Sequence, residues 1–213
     1  EWNGLKFVRE DSTFFHPDDC QNLFEIVDQD PVIKSAQEPG IIWQEKNAVQ
    51  KHLISCVSLK CISLNRIQRK RFKVVIDSVN GAGSDALPAM LQALGCEVIE
   101  LNCEPNGNFT RGTEPLPENL VDLSQMVKKH HAHVGFAIDP DADRLAIVNE
   151  KGEPLGEEYT IVLAADGYLK EMNQIEKFVL NLSSSLALDK LAELKGSSVV
   201  RSAVGEINVV NKM

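Results

Sequence analysis

The sequence lacks several features that would place a chain of this length in a specialised class of protein. No apolar run approaches the roughly 18 residues of a membrane-spanning helix, so we expect no membrane segment. Cysteine is scarce and forms no Cys-x-x-Cys pair; the cysteines are Cys20, Cys56, Cys61, Cys96 and Cys103. Their odd number and the lack of a recognisable signal peptide favour reduced thiols in a cytoplasmic protein. Cys96 and Cys103 flank a predicted strand and are interpreted as small core residues.

Positive charge is also in short supply, with 22 Lys and Arg against 31 Asp and Glu and a net charge of −9. This balance argues against nucleic acid as a partner and suits a protein that uses cations to bind anions. One basic run, residues 66–73, precedes a predicted strand, and we interpret it as a solvated junction. Neither G-x-G-x-x-G nor a Walker lysine is present, so we interpret Asn80-Gly-Ala-Gly83 as a structural turn rather than a phosphate cradle.

Apolar periodicity, in a chain with 43% hydrophobic residues, predicts helices alternating with strands. The predicted strands span residues 72–77, 97–101, 133–138, 145–148, 178–182 and 198–201. One predicted helix begins at Pro17, one spans 46–59, one ends at Leu94 and one begins at Pro117. The others span 157–170 and 183–194, and a last one begins at Ile207. A short strand is expected around Leu5–Val8, and the polar stretch 31–40 is expected to be a loop.

This order of elements determines the expected fold class. A strand, a helix and a strand within about 30 residues form a βαβ unit whose strands are parallel. The pattern begins at residue 72 and restarts near residues 170–177, which indicates a second α/β domain. We therefore expect an α/β fold of repeated βαβ units, with mixed, mostly parallel sheets and helices on both faces.

The most informative stretch is Asp139-Pro-Asp-Ala-Asp-Arg144, in which carboxylates alternate with other residues. It lies between two predicted strands, and α/β sheets bind their ligands at such strand ends. Asp139, Asp141 and Asp143 offer only oxygen, and their charges would repel one another without a cation. A hard cation such as magnesium, manganese or calcium fits these ligands better than zinc does.

Three interpretations of this loop compete on the residues alone. In an EF-hand, the aspartates would take positions 1, 3 and 5 and Glu150 position 12, but Arg144 stands where glycine is needed and strands flank the loop. In a phosphatase-like site, one aspartate would be the nucleophile, and the spacing singles none out. In a magnesium site, the aspartates would serve a phosphoryl group held elsewhere, and Arg144 would bind a second phosphate oxygen.

In its surroundings, this loop resembles the metal loop of the α-D-phosphohexomutase family. Other stretches agree with the family in order: Val74-Val-Ile-Asp-Ser-Val-Asn-Gly-Ala-Gly83, Leu94-Gly-Cys-Glu-Val98, Pro105-Asn-Gly-Asn-Phe109, Glu114-Pro-Leu-Pro-Glu-Asn-Leu120, Gly156-Glu-Glu-Tyr159 and Val204-Gly-Glu206. Glu1-Trp-Asn-Gly-Leu-Lys-Phe7 resembles the segment after the active-serine loop. The resemblance spans nearly the whole chain and favours the phosphoglucosamine mutase and phosphomannomutase branches.

The resemblance implies an enzyme of four domains around a cleft. A phosphoserine in the first domain would give its phosphoryl group to a hexose phosphate, and the resulting hexose bisphosphate would return the other one. Mg²⁺ would be bound by Asp139, Asp141 and Asp143 together with the phosphoserine. Arg144 would stabilise the transferring group, and Lys6 would assist proton transfer near the phosphoserine.

The same resemblance divides the chain. Residues 1–65 would be the C-terminal part of domain 1, residues 66–170 domain 2 with the metal loop, and residues 171–213 the start of domain 3. We expect the active-serine loop before Glu1 and the sugar-reading segments after Met213, so that the 213 residues alone would be inactive on sugar phosphates.

The remaining expectations concern the substrate and the partners. The sugar, which is glucosamine or else mannose or glucose, would be chosen outside these residues, and the protein would be a monomer or a homodimer. The alternative hypothesis is a fragment or degenerate homologue that only binds a metal or a partner protein.

Overall fold

A computed structural model describes residues 6–32 and 40–213. The helices are α1 (Pro17–Asp28), α2 (Ala48–Val57), α3 (Leu64–Lys70), α4 (Ala86–Ala93), α5 (Val121–His130), α6 (Glu158–Met172), α7 (Ala187–Leu194) and α8 (Glu206–Val210). The strands are β1 (Lys73–Asp77), β2 (Glu97–Leu101), β3 (Val134–Ile138), β4 (Leu145–Asn149), β5 (Lys177–Asn181) and β6 (Ser198–Ser202). None of the helices within the described ranges combines the length and apolar character needed to cross a bilayer.

The described residues form two compact units. The larger unit comprises residues 45–176 and 185–196. The smaller unit comprises the described residues up to 44, together with 177–184 and 197–213.

The larger unit is built on a sheet with the strand order β2-β1-β3-β4. β1 pairs in parallel with both β2 and β3, whereas β4 returns antiparallel to β3. Because β1 and β3 are parallel, Asp77 and Ile138 end their strands at the same edge of the sheet. The expected α/β class with a mixed, mostly parallel sheet is therefore confirmed.

Alternation along β1 places apolar side chains on both faces of this sheet. Val75 packs with Leu123 and Val127 of α5 on one face. Val74 and Ile76 pack with Leu91 of α4 on the other face, and Cys96 and Cys103 pack against the edge of that cluster. Helices on both faces explain why the β1 sequence is a continuous apolar run rather than an alternating one.

The smaller unit contains a parallel pair of strands, β5 and β6, with α8 packed against β5. The short strand expected around Leu5–Val8 is not formed in its described part, where Val8 makes only an isolated antiparallel bridge to Phe14. Leu5 lies outside the described residues, as do residues 33–39 of the expected loop.

Two local features were not expected from the sequence. The basic run 66–73 is mostly exposed, in keeping with a solvated junction, but it is also mostly helical, because α3 extends to Lys70 and ends where Arg71 takes a left-handed φ of 46°. The helix expected from Ser183 begins later, at Ala187. The Asn181 Oδ1 accepts hydrogen bonds from the Ser183 and Ser184 amides, both 3.0 Å long, and thereby holds these serines in a turn.

Candidate metal centre

The acidic loop connects β3 to β4 at one edge of the larger unit's sheet. One carboxylate oxygen from each of Asp139, Asp141 and Asp143 lies within 4.8 Å of the others. The reversal is closed by a hydrogen bond of 3.1 Å from the Ala142 amide to the Asp139 carbonyl. Ala142 has a left-handed φ of 63°, which completes the tight turn. The structure thus brings together the residues that the sequence proposed as metal ligands.

Burial and charge both act on this cluster. Asp139 is only 5% exposed, whereas Asp141 and Asp143 are exposed. Burial raises the pKa of Asp139, and the neighbouring carboxyl groups raise it further, although the Arg144 amide donates a hydrogen bond to it at 3.0 Å. A bound cation would offset this repulsion, and three oxygen donors at this spacing suit a hard divalent ion.

The surroundings of the loop are incompatible with an EF-hand. The flanking elements are the antiparallel strands β3 and β4, not helices. Glu150, the residue at position 12 of that motif, follows the five-residue strand β4. A strand of that length spans roughly 16 Å, which carries Glu150 away from the aspartates. The EF-hand interpretation is therefore wrong.

Arg144 lies at the rim of the cluster and pairs with Glu114. Its Nη1 contacts Glu114 Oε2, and its Nε lies 4.0 Å from the Asp143 Oδ1. The side chains of Arg144 and Glu114 are 53% and 46% exposed. Exposed pairs of this kind contribute only about 0–1 kcal/mol, so an incoming anion can compete with Glu114 for the guanidinium.

The glycine turn after β1 supports the acidic loop by direct contact. The Ala82 amide donates a hydrogen bond of 2.8 Å to the Pro140 carbonyl. A Cβ at Gly81 would lie 2.5 Å from that same oxygen, and one at Gly83 would lie 2.2 Å from the Ile138 Cδ1. Gly81 therefore has no room for a side chain against the loop, and a side chain at Gly83 would displace that of Ile138, which supports the interpretation as a structural turn.

The backbone leading into this turn adopts an unusual conformation. Val79 and Asn80 have left-handed φ values of 48° and 56°, which cost about 1–3 kcal/mol each for such residues. The Val79 amide donates to Asp77 Oδ1 at 2.9 Å. The Asn80 side chain donates to the Asn108 carbonyl and accepts from the Glu104 amide, both at 3.0 Å. These hydrogen bonds hold the strained backbone beside the candidate metal loop.

A buried ion pair lies behind the loop, and the sequence did not identify it. The Asp77 and Arg111 side chains are 1% and 8% exposed, and Arg111 Nε donates to Asp77 Oδ2 at 2.8 Å. Asp77 could have been noticed, because it is a carboxylate at the end of an otherwise apolar strand. Arg111 lies in an irregular loop, where no periodicity marks a functional side chain.

Lys6 belongs to the smaller unit. It lines a small cleft with aromatic and aliphatic side chains and with one acid, namely Phe7, Phe14, Phe15, Cys20, Glu206 and Ile207. Its environment is therefore partly apolar, with a carboxylate nearby. The catalytic role expected for Lys6 remains a prediction.

Comparison with known proteins now identifies the family. The model for phosphoglucomutase/phosphomannomutase alpha/beta/alpha domain II matches residues 50–152, and the model for domain III of the same proteins matches residues 156–213. The chain belongs to the phosphoglucomutase/phosphomannomutase family. The acidic loop lies in the part matched by domain II, and the resemblance stated for the sequence is confirmed.

Individual relatives agree with the family. The phosphoglucomutase/phosphomannomutase of Thermococcus kodakarensis is 37% identical over 80% of this chain and 38% of its own length. A "Probable phosphoglucosamine mutase" of Methanopyrus kandleri is 32% identical over 98% of this chain and 45% of its own length. The crystal structure of a family member from Burkholderia thailandensis superimposes with a TM-score of 0.73 at 26% identity, over 93% of this chain and 41% of that one. The chain spans less than half the length of these relatives.

Proposed function

We propose that the whole protein is a magnesium-dependent phosphohexomutase. It would move a phosphoryl group between the 1- and 6-positions of a hexose phosphate by way of a phosphoserine and a hexose bisphosphate. The observation that carries the proposal is the cluster of three aspartate oxygens within 4.8 Å, at the end of a central strand in a chain of this family. The names of the relatives support glucosamine, mannose or glucose as the sugar.

The donor set of the cluster fits magnesium. Asp139, Asp141 and Asp143 supply oxygen only, and three ligands leave coordination positions for phosphate oxygen. When bound, Mg²⁺ would neutralise charge on the phosphoryl group as it moves. Asp139 would be the buried ligand, whereas Asp141 and Asp143 are exposed.

Arg144 would bind the phosphoryl group directly. Its planar donors suit two phosphate oxygens at once, and its charged contacts, to Glu114 and Asp143, are exposed and readily exchanged. Glu114 would hold the guanidinium at the rim of the site until the anion arrives. The proton-transfer role of Lys6, the division at residues 65 and 170, the cytoplasmic location and the monomeric or dimeric state remain predictions.

The proposal is tested with the whole protein, purified and supplied with Mg²⁺ and a hexose bisphosphate activator. Conversion of glucosamine 6-phosphate, mannose 6-phosphate and glucose 6-phosphate to the 1-phosphates is followed by ³¹P NMR. We expect turnover of at least one sugar, its loss in EDTA and its recovery when Mg²⁺ is added back.

Two variants give the assay its control. Asp141→Asn removes one proposed ligand, and Asp122→Asn makes the same change at an exposed position in the first turn of α5. We expect the first to abolish turnover and the second to preserve it. Mg²⁺ binding without turnover of any of the three sugars would contradict the mutase proposal and favour a homologue that only binds metal or a partner.

A further inference from the structure

Arg111 contacts the acidic loop from behind, through the backbone. Its Nη2 donates a hydrogen bond of 2.7 Å to the Ile138 carbonyl, which belongs to the peptide group that links Ile138 to Asp139. Its Nη1 donates to the Gly112 carbonyl at 2.9 Å. The guanidinium thus joins the loop 111–112 to the last residue before the buried aspartate.

Asp77 fixes the guanidinium in this position. Its Oδ2 accepts from Arg111 Nε at 2.8 Å, while its Oδ1 accepts from the Val79 amide at 2.9 Å and from the Asn102 Nδ2 at 3.2 Å. The carboxylate is therefore fully paired, and it lies at the end of β1. One charged pair connects the ends of the two central strands, β1 and β3.

The geometry requires arginine. The guanidinium uses three separate nitrogens for Asp77, Ile138 and Gly112, and a lysine ammonium is a point charge that cannot reproduce this fork. Arg111 is also nearly buried, so its charge serves neither solubility nor an exposed substrate surface. Its polar contacts go to Asp77, to the Ile138 carbonyl before the acidic loop, and to the Gly112 and Thr113 carbonyls of its own loop.

We propose that Arg111, held by Asp77, is a positioning residue for the metal loop. It orients the peptide group before Asp139 and so keeps the buried carboxylate in register with Asp141 and Asp143. This inference rests on the proposed function, because it assumes that the three aspartates bind Mg²⁺. It extends that function by assigning a role to a residue that does not itself bind the metal.

The test measures Mg²⁺ affinity of the whole protein by calorimetry, with Mg²⁺ alone as the probe. Arg111→Lys keeps the positive charge beside Asp77 and loses the hydrogen bond to Ile138. We expect its Kd for Mg²⁺ to rise at least tenfold. Arg66→Lys is the matched control, because the Arg66 side chain is 68% exposed and pairs with Glu171 in the same unit, away from the acidic loop in sequence. Its Kd should stay within twofold of the wild-type value.

Two further variants separate positioning from general stability. Val127→Ala weakens the core next to β3 without touching the Ile138 carbonyl, and its Mg²⁺ affinity should be unchanged at temperatures where it is folded. Asp77→Asn keeps the acceptor for Val79 and weakens the hold on Arg111, so its Kd should rise as well. If circular dichroism shows Arg111→Lys unfolded, the Asp77→Asn titration decides.

The outcomes are distinct. If Arg111→Lys is folded and binds Mg²⁺ with wild-type affinity, the positioning role is overturned and the proposed function stays intact. If Arg111→Lys is unfolded, wild-type affinity in folded Asp77→Asn has the same meaning. An equal loss of affinity in Val127→Ala would also overturn it, because general destabilisation would then suffice. If the wild-type protein itself fails to bind Mg²⁺, the proposed function fails and the positioning role fails with it. Loss in Arg111→Lys alongside normal binding in Arg66→Lys and Val127→Ala supports the proposal.

Discussion

Replacing Arg111 with methionine tests how strongly the buried pair stabilises the larger unit. The change keeps much of the side-chain volume and leaves the Asp77 carboxylate, 1% exposed, without its charged partner. Removing one partner of a buried pair costs about 3–5 kcal/mol, because the remaining charge is left desolvated. That is a large share of the roughly 5–15 kcal/mol that stabilises a typical domain.

Urea unfolding followed by circular dichroism measures this cost. With a urea dependence of about 2 kcal/mol per molar for the unfolding free energy, the midpoint of Arg111→Met should fall by about 1.5–2.5 M. Arg66→Met is the matched control, since the Arg66 side chain is 68% exposed and its partner Glu171 is 21% exposed. A pair with this access to water contributes about 0–1 kcal/mol, so the control midpoint should fall by no more than about 0.5 M.

The double variant Asp77→Asn/Arg111→Met shows whether the cost comes from the stranded charge. Asparagine keeps an oxygen to accept from the Val79 amide and removes the negative charge. We expect the double variant to be more stable than the sum of the single changes predicts, by about 1–3 kcal/mol. Additive effects, or a loss for Arg111→Met no larger than that for Arg66→Met, would refute the argument.

Three further predictions concern the packing and charge of the same unit. Gly81→Ala should lower the free energy of unfolding, measured by urea titration, by about 1–3 kcal/mol, because its Cβ would lie 2.5 Å from the Pro140 carbonyl oxygen. Its control is Gly167→Ala, at an open helical position, which should instead raise the free energy of unfolding by up to about 1 kcal/mol. Burial raises the pKa of the Cys103 thiol, so less of it is thiolate in the folded protein. Iodoacetamide at pH 8 should therefore alkylate Cys103 more slowly in the folded protein than in urea, and equal rates would contradict this. In EDTA at pH 7, Asp139→Asn should raise the thermal midpoint by relieving repulsion within the acidic cluster, and a lower midpoint would show that the repulsion is unimportant.

Much of the larger unit was predictable from the sequence, for a physical reason. The strand at 72–77 and the helix ending near Leu94 have strong apolar periodicity, and the structure contains β1 and α4 there. The glycine turn was also predictable, because Gly81 packs too closely against the Pro140 backbone of the acidic loop to carry a side chain. The three aspartates were identifiable because like charges at alternate positions imply a cation.

Other features could not be read from the sequence. The pairs Asp77–Arg111 and Glu114–Arg144 join residues that are 34 and 30 positions apart, so no local pattern marks them. The helix α3 was missed because it has only seven residues, of which Leu64 and Ile67 alone are apolar, and this is too few to show a helical period. The serines at 183–185 look like helix caps, but the side chain of Asn181 holds the first two in a turn before α7 begins.

Calorimetric titration of the whole protein with Mg²⁺ tests the central claim most directly, with Asp141→Asn and Asp122→Asn titrated beside the wild type. We predict one Mg²⁺ bound per chain in the wild type and in Asp122→Asn, and no measurable binding in Asp141→Asn. Unchanged affinity in Asp141→Asn would contradict the assignment of Asp139, Asp141 and Asp143 as the metal centre.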